Sequence, residues 1–92
     1  MKRDTNFEPY SKFVVSDEFH LLSMLSNIGV INPERSLTVS EIAEQTRIDP
    51  STVSSVIPKL VEAGYLEMLS DATPERYHLT TKGIRKVLSI YS

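Results

Sequence analysis

Cysteine is absent from the 92 residues, which excludes a disulfide framework and a thiolate zinc site and agrees with a reducing compartment. Glycine occurs three times and proline five, too sparsely for a collagen-like or low-complexity chain. No run approaches the roughly 18 apolar residues of a membrane span, and the start, MKRDTNFEPY, lacks the apolar stretch of a signal peptide. A soluble, cytoplasmic protein is expected. Basic surplus is missing too, since 10 Lys and Arg stand against 12 Asp and Glu, a net charge of −2. Bulk charge therefore does not advertise a polyanionic partner, and any such reading must rest on local arrangement. The two histidines, His20 and His78, have no His-x-x-x-His spacing, and core or surface roles are expected of them rather than metal ligation. No nucleophile sits beside a base, no Gly-rich phosphate loop occurs, and no carboxylate pair has catalytic spacing. Neither enzyme activity, a metal nor a cofactor is expected.

What the chain does contain is the material of one small domain. Composition is 40% hydrophobic and 24% charged, and a chain of this length buries roughly 60 to 65% of its unfolded surface, enough to fold without staples. Residues 1–15 mix charge with Phe7, Tyr10, Phe13, Val14 and Val15, and something is expected to cover them. In SDEFHLLSMLSNIG, Ser16 suits an N-cap, Asp17 and Glu18 suit the first turn, and Gly29 suits a C-terminal stop. Phe19, Leu21, Leu22, Met24, Leu25 and Ile28 recur at steps of three and four, which predicts a helix with a wide buried face. VINPERS reads as a loop, and Leu37 as a short additional strand. Thr38 and Glu41 have capping-box spacing and open a two-turn helix with Val39, Ile42 and Ala43 as its stripe.

The next helix is the best marked. Val53, Val56, Ile57, Leu60 and Val61 fall on one face, Asp49 suits the cap, Pro50 the first helical position and Gly64 the left-handed residue that ends it. Ser51, Thr52, Ser55, Pro58, Lys59 and Glu62 fall on the opposite, polar side. Pro58 lies too deep to be neutral, because it leaves the Ser54 carbonyl without its amide partner at about 3 kcal/mol relative to Ala. The unbroken apolar spacing predicts that packing holds the helix, with a bend at Pro58. YLEML and RYHL, separated by SDATPE, read as a β-hairpin, with Leu66, Met68, Tyr77 and Leu79 facing one core. Thr80 or Thr81 then caps a last helix whose stripe is Ile84, Val87, Leu88 and Tyr91. No internal repeat appears. The fold class is α+β, mainly α with a small β-hairpin.

The stretch LTVSEIAEQTRIDPSTVSSVIPKLVEAGYLEML, followed by RYHLTTKG, resembles the winged helix-turn-helix core of regulators of the MarR and PadR type. A Leu-Thr opens the second helix, a polar turn leads to a Thr-Val-Ser third helix, and Leu-Thr-x-x-Gly follows the hairpin. Residues 37–83 carry the resemblance. It implies one winged-helix domain over 1–92, with the helix-turn-helix at 38–63, the wing at 65–79 and a C-terminal helix at 81–91. It implies that Ser51, Thr52, Ser54, Ser55 and Lys59 face a DNA groove, that Ser40 and Arg47 contact phosphates, and that Arg76 stands on the wing. The implied function is a transcriptional regulator that binds double-stranded DNA at a pseudo-palindromic site as a homodimer. Its interface would comprise Phe7, Tyr10 and Phe13 together with Ile84, Leu88 and Tyr91.

The chain departs from the pattern where such regulators place Arg or Lys on the outer side of the third helix and at the wing tip. It has Pro58, Glu62, Asp71 and Glu75 there, and residues 38–75 hold two basic residues against seven acidic ones, a balance of −5. A winged-helix protein-interaction module with a protein partner, or a DNA-segregation or replication adaptor, is the alternative. Lys82, Arg85 and Lys86 have two readings: complement to a helix dipole, or contact with DNA.

Overall fold

A computed structural model of the protein describes residues 16–71 and 73–91, with the side chains of residues 90 and 91 left out. Helix α1 spans Asp17–Asn27. The Ser16 hydroxyl accepts from the Phe19 amide at 3.2 Å, and Asp17 and Glu18 occupy the first turn. Leu21, Leu22 and Leu25 are buried on its inner face. Gly29, at φ +83°, turns the chain out of the helix. A short 3₁₀ turn, Pro33–Arg35, is capped by the Asn32 side chain. Leu37 then meets Tyr77 in an isolated antiparallel bridge, with N–H to O distances of 3.0 and 2.8 Å. The strand expected at Leu37 is therefore one residue long and the sheet has two strands, because the 3₁₀ turn before it and the helix cap at Thr38 after it leave no further residue to pair.

Helix α2 spans Val39–Thr46 and opens with a full capping box: the Glu41 amide donates to Thr38 Oγ1 and the Thr38 amide to Glu41 Oε1. It ends on Arg47, which adopts the left-handed conformation at φ 61°. Inside that turn the Thr46 hydroxyl donates to the Ile42 carbonyl at 2.7 Å and accepts from the Ile48 amide at 3.3 Å. Helix α3 spans Pro50–Glu62 and runs on through Pro58. Val53, Val56, Ile57 and Leu60 are buried against α1 and α2, so packing holds the helix across the missing amide. Each fully buried aliphatic side chain of this kind contributes about 1.5 to 3 kcal/mol, enough to offset the proline.

The hairpin pairs β1, Leu66–Leu69, with β2, Arg76–Leu79, in the register Leu66 with Leu79 and Met68 with Tyr77. Leu66 and Leu79 at its root are buried, but Met68, expected in the core, is 45% exposed. Tyr77, opposite Met68, is half-buried and packs against the core, so the core reaches further along β2 than along β1. On the other face His78 is buried, with Nδ1 2.9 Å from the Leu79 carbonyl, an acceptor that requires the proton on that nitrogen. Its Nε2 lies 3.3 Å from Glu67 Oε1 without forming a hydrogen bond.

Helix α4 spans Thr81–Tyr91. Of the two candidate caps Thr80 is the one used: its hydroxyl accepts from the Gly83 amide at 3.0 Å and donates to the Gly64 carbonyl at 2.6 Å. Its amide donates to the Tyr65 carbonyl. Gly83 lies so close to that carbonyl that a Cβ would collide with it. The Leu-Thr-x-x-Gly segment is thus a clasp between the end of α3, the wing root and α4. Lys82, Arg85 and Lys86 sit in the N-terminal half of α4, whose last turn holds no basic residue. They do not complement that helix's dipole. Lys82 serves a different helix, with Nζ 2.9 Å from the Ala63 carbonyl at the end of α3 and 5.3 Å from the Tyr65 ring centre.

Candidate nucleic-acid interface

Three elements frame the outer side of α3. The short turn from Thr46 to Asp49 fixes its start, α1 flanks one edge and the wing the other. Within α3 the apolar stripe faces inward, which turns Ser51, Ser54, Ser55, Pro58 and Lys59 outward, all exposed, with Thr52 half-buried. The side chains expected to read a groove are therefore brought onto one surface. Ser40, at the start of α2, and Arg47, in the turn, are exposed as well.

Local bonds limit several of these groups. The Asp49 carboxylate accepts from the Ser51 amide at 3.1 Å and from the Ser51 hydroxyl in a short contact. These bonds hold the Asp49 carboxyl below its usual pKa. Ser51 is thereby engaged in capping α3, which leaves Thr52, Ser54 and Ser55 as its free hydroxyls. Lys59 Nζ lies 3.9 Å from Glu18 Oε2, with both side chains substantially exposed. Such a surface pair is worth about 0 to 1 kcal/mol and exchanges readily for a stronger anion. Arg76 stands on the wing at the start of β2, half-buried, with its Nε buried and without a hydrogen-bond partner.

Ile84 is half-buried and Leu88 is 57% exposed on α4. Phe7, Tyr10 and Phe13, and the side chain of Tyr91, lie outside the described residues. Sequence reasoning missed the surface that Pro58, Met68 and Tyr77 share beside α3. The only signal for it was the coincidence of an outward proline with a hairpin of alternating apolar residues. Among the described residues no group of His, Cys, Asp and Glu is arranged to hold a metal ion, and no helix is long and apolar enough to cross a membrane.

The arrangement has close counterparts. At a TM-score of 0.71 and 25% identity, the chain matches the DNA-binding TubR fragment of Clostridium botulinum, over 85% of this chain and 99% of that one. A MarR family transcriptional regulator from Silicibacter pomeroyi DSS is 28% identical at a TM-score of 0.67, over 96% of this chain and 56% of the longer protein. TubR from Bacillus megaterium, at 15% identity and a TM-score of 0.71, shares the fold over 96% of this chain. No curated protein matches the sequence. Of the two regulator types that the sequence resembles, the family model that matches is that of MarR, over residues 18–76. That span takes in α1, the whole helix-turn-helix and the wing as far as the start of β2, and this chain belongs to the MarR family.

Proposed function

We propose that the protein is a sequence-specific DNA-binding protein, a transcriptional regulator in type, that reads a pseudo-palindromic site as a homodimer. The observation that carries the reading is the outward polar face of α3, Thr52, Ser54, Ser55 and Lys59, set behind a short turn in a MarR-family chain. Hydroxyls there suit base edges and phosphate oxygens, while Arg47, Lys59 and the Ser40 hydroxyl suit the flanking backbone. The likeness to a DNA-binding TubR fragment at 25% identity supports the same partner. A segregation or replication adaptor would use the same interface.

Pairing follows from size, since one winged helix reads one half-site. The exposed Leu88 and half-buried Ile84 on α4, with Phe7, Tyr10, Phe13 and Tyr91, form the surface proposed for it. Binding is expected to be weak and steeply salt-dependent, because two cations against seven anions in residues 38–75 leave little phosphate neutralisation. Fluorescence anisotropy with random duplex DNA at low and moderate salt tests this. A second reading, a protein-interaction module with a basic partner, is favoured by that same −5 balance, and absence of DNA binding at low salt would select it.

A further inference from the structure

Base edges in a major groove differ in a small set of groups. Guanine offers acceptors to a guanidinium or ammonium, adenine an acceptor and a donor to a side-chain amide, and cytosine a donor to a carboxylate. Thymine offers an acceptor beside its C5 methyl, the one carbon substituent on these edges. The outward side of α3 is short of readers for most of this code. Among the described residues the arginines are Arg35, Arg47, Arg76 and Arg85 and the side-chain amides Asn27, Asn32 and Gln45, and α3 carries none of them. Its cation, Lys59, is directed to Glu18 on α1. Its carboxylate, Glu62, is the last residue of the helix, at the end opposite the N-terminal residues that lead such a helix into a groove.

Hydroxyls and carbon remain. Ser51 is spent on the Asp49 carboxylate. The exposed Ser54 and Ser55 hydroxyls donate or accept as they rotate, so they bond any base pair and select none. Thr52 adds a methyl group to its hydroxyl, and Pro58, exposed and without an amide hydrogen, offers ring carbon alone. We infer, resting on the DNA-binding reading above, that this chain selects its site through thymine methyl groups packed against Thr52 and Pro58 in the major groove, and not through guanine acceptors. The proline that removes an amide from α3 supplies on that same side the carbon surface such a contact needs.

Duplexes are first enriched from a random pool by the full chain at low salt. In the best-bound duplex, replacing thymine by deoxyuridine removes only the C5 methyl. Affinity is expected to fall about fourfold for each methyl contacted, whereas 7-deazaguanine, which lacks the N7 acceptor, is expected to leave it unchanged. Thr52→Ser keeps the hydroxyl and loses the methyl, and Thr52→Val does the reverse. Both are close in size to the native residue and leave the charge unaltered, so the native amide spectrum should persist. The preference for thymine over deoxyuridine should shrink in T52S and survive in T52V. Equal binding of the thymine and deoxyuridine duplexes, a larger loss with 7-deazaguanine than with deoxyuridine, or an unchanged preference in T52S would overturn the inference while the DNA-binding reading stands. Failure to bind any duplex at low salt would overturn both.

Discussion

At the scale of single residues, Arg47 carries two demands that pull apart. Its backbone is left-handed at φ 61°, a region that disfavours side chains with a Cβ by roughly 1 to 2 kcal/mol. Its side chain is exposed and assigned to a phosphate. Arg47→Gly is therefore expected to leave stability unchanged or raise it by up to about 1 kcal/mol, while weakening DNA binding to all sequences. Calorimetry and anisotropy on one sample check both halves. Asp49 makes a pH-dependent contribution of defined sign. Its carboxyl is held below its usual pKa by the Ser51 bonds, so the folded state gains above the unfolded carboxylate range and loses that gain as pH falls through it. The acid side of a Tm-against-pH profile should be shallower in Asp49→Asn. Thr52→Ala and Ser55→Ala should relax sequence preference, since they remove hydroxyls without removing charge.

At the scale of elements, Pro58 was readable as an anomaly, but its setting was not. Spacing alone showed an interior proline on an outward face, and packing of Val53, Val56, Ile57 and Leu60 explains why α3 survives it. That it would line a groove with Met68 and Tyr77 depended on where the hairpin lies beside α3, a tertiary quantity with no local signature. Pro58→Ala should raise stability, by up to about 3 kcal/mol if the regained amide bonds fully to Ser54. It should also alter DNA affinity if the proline aims residues 51–55, and thermal melts beside anisotropy separate the two effects. The helix caps at Ser16, Thr38 and Asp49 were legible because each is a bond between near neighbours. The clasp around Thr80 and Gly83 was legible only as a family motif, since its partners Gly64 and Tyr65 lie 16 and 18 residues away in the chain. Gly83→Ala should destabilise by about 1 to 3 kcal/mol, because the collision is with backbone and not with a flexible side chain.

At the scale of the whole molecule, the element order and most of the core followed from apolar periodicity, whereas the position of charge did not. Lys82, read as complementing a helix dipole or contacting DNA, bonds the carbonyl at the end of α3 rather than serving its own helix. Arg76, read as standing on the wing, lies at the turn end of β2 opposite Leu69, but is half-buried. Both depend on which distant elements meet, which no linear pattern encodes. Assembly belongs to this scale too. Sedimentation of the full chain at tens of micromolar is expected to show a dimer, and Leu88→Glu to shift it to monomer with the fold retained. The central claim, that the outward face of α3 and its flanking turn meet a phosphate backbone, is tested most directly by the salt dependence of DNA binding in the double charge reversal R47E/K59E. Both side chains are exposed, so the fold should stand. Weak but measurable binding is expected of the native chain, and in the variant a loss of more than tenfold with a salt slope lower by about two. Equal affinity and equal slope in the two proteins would contradict it.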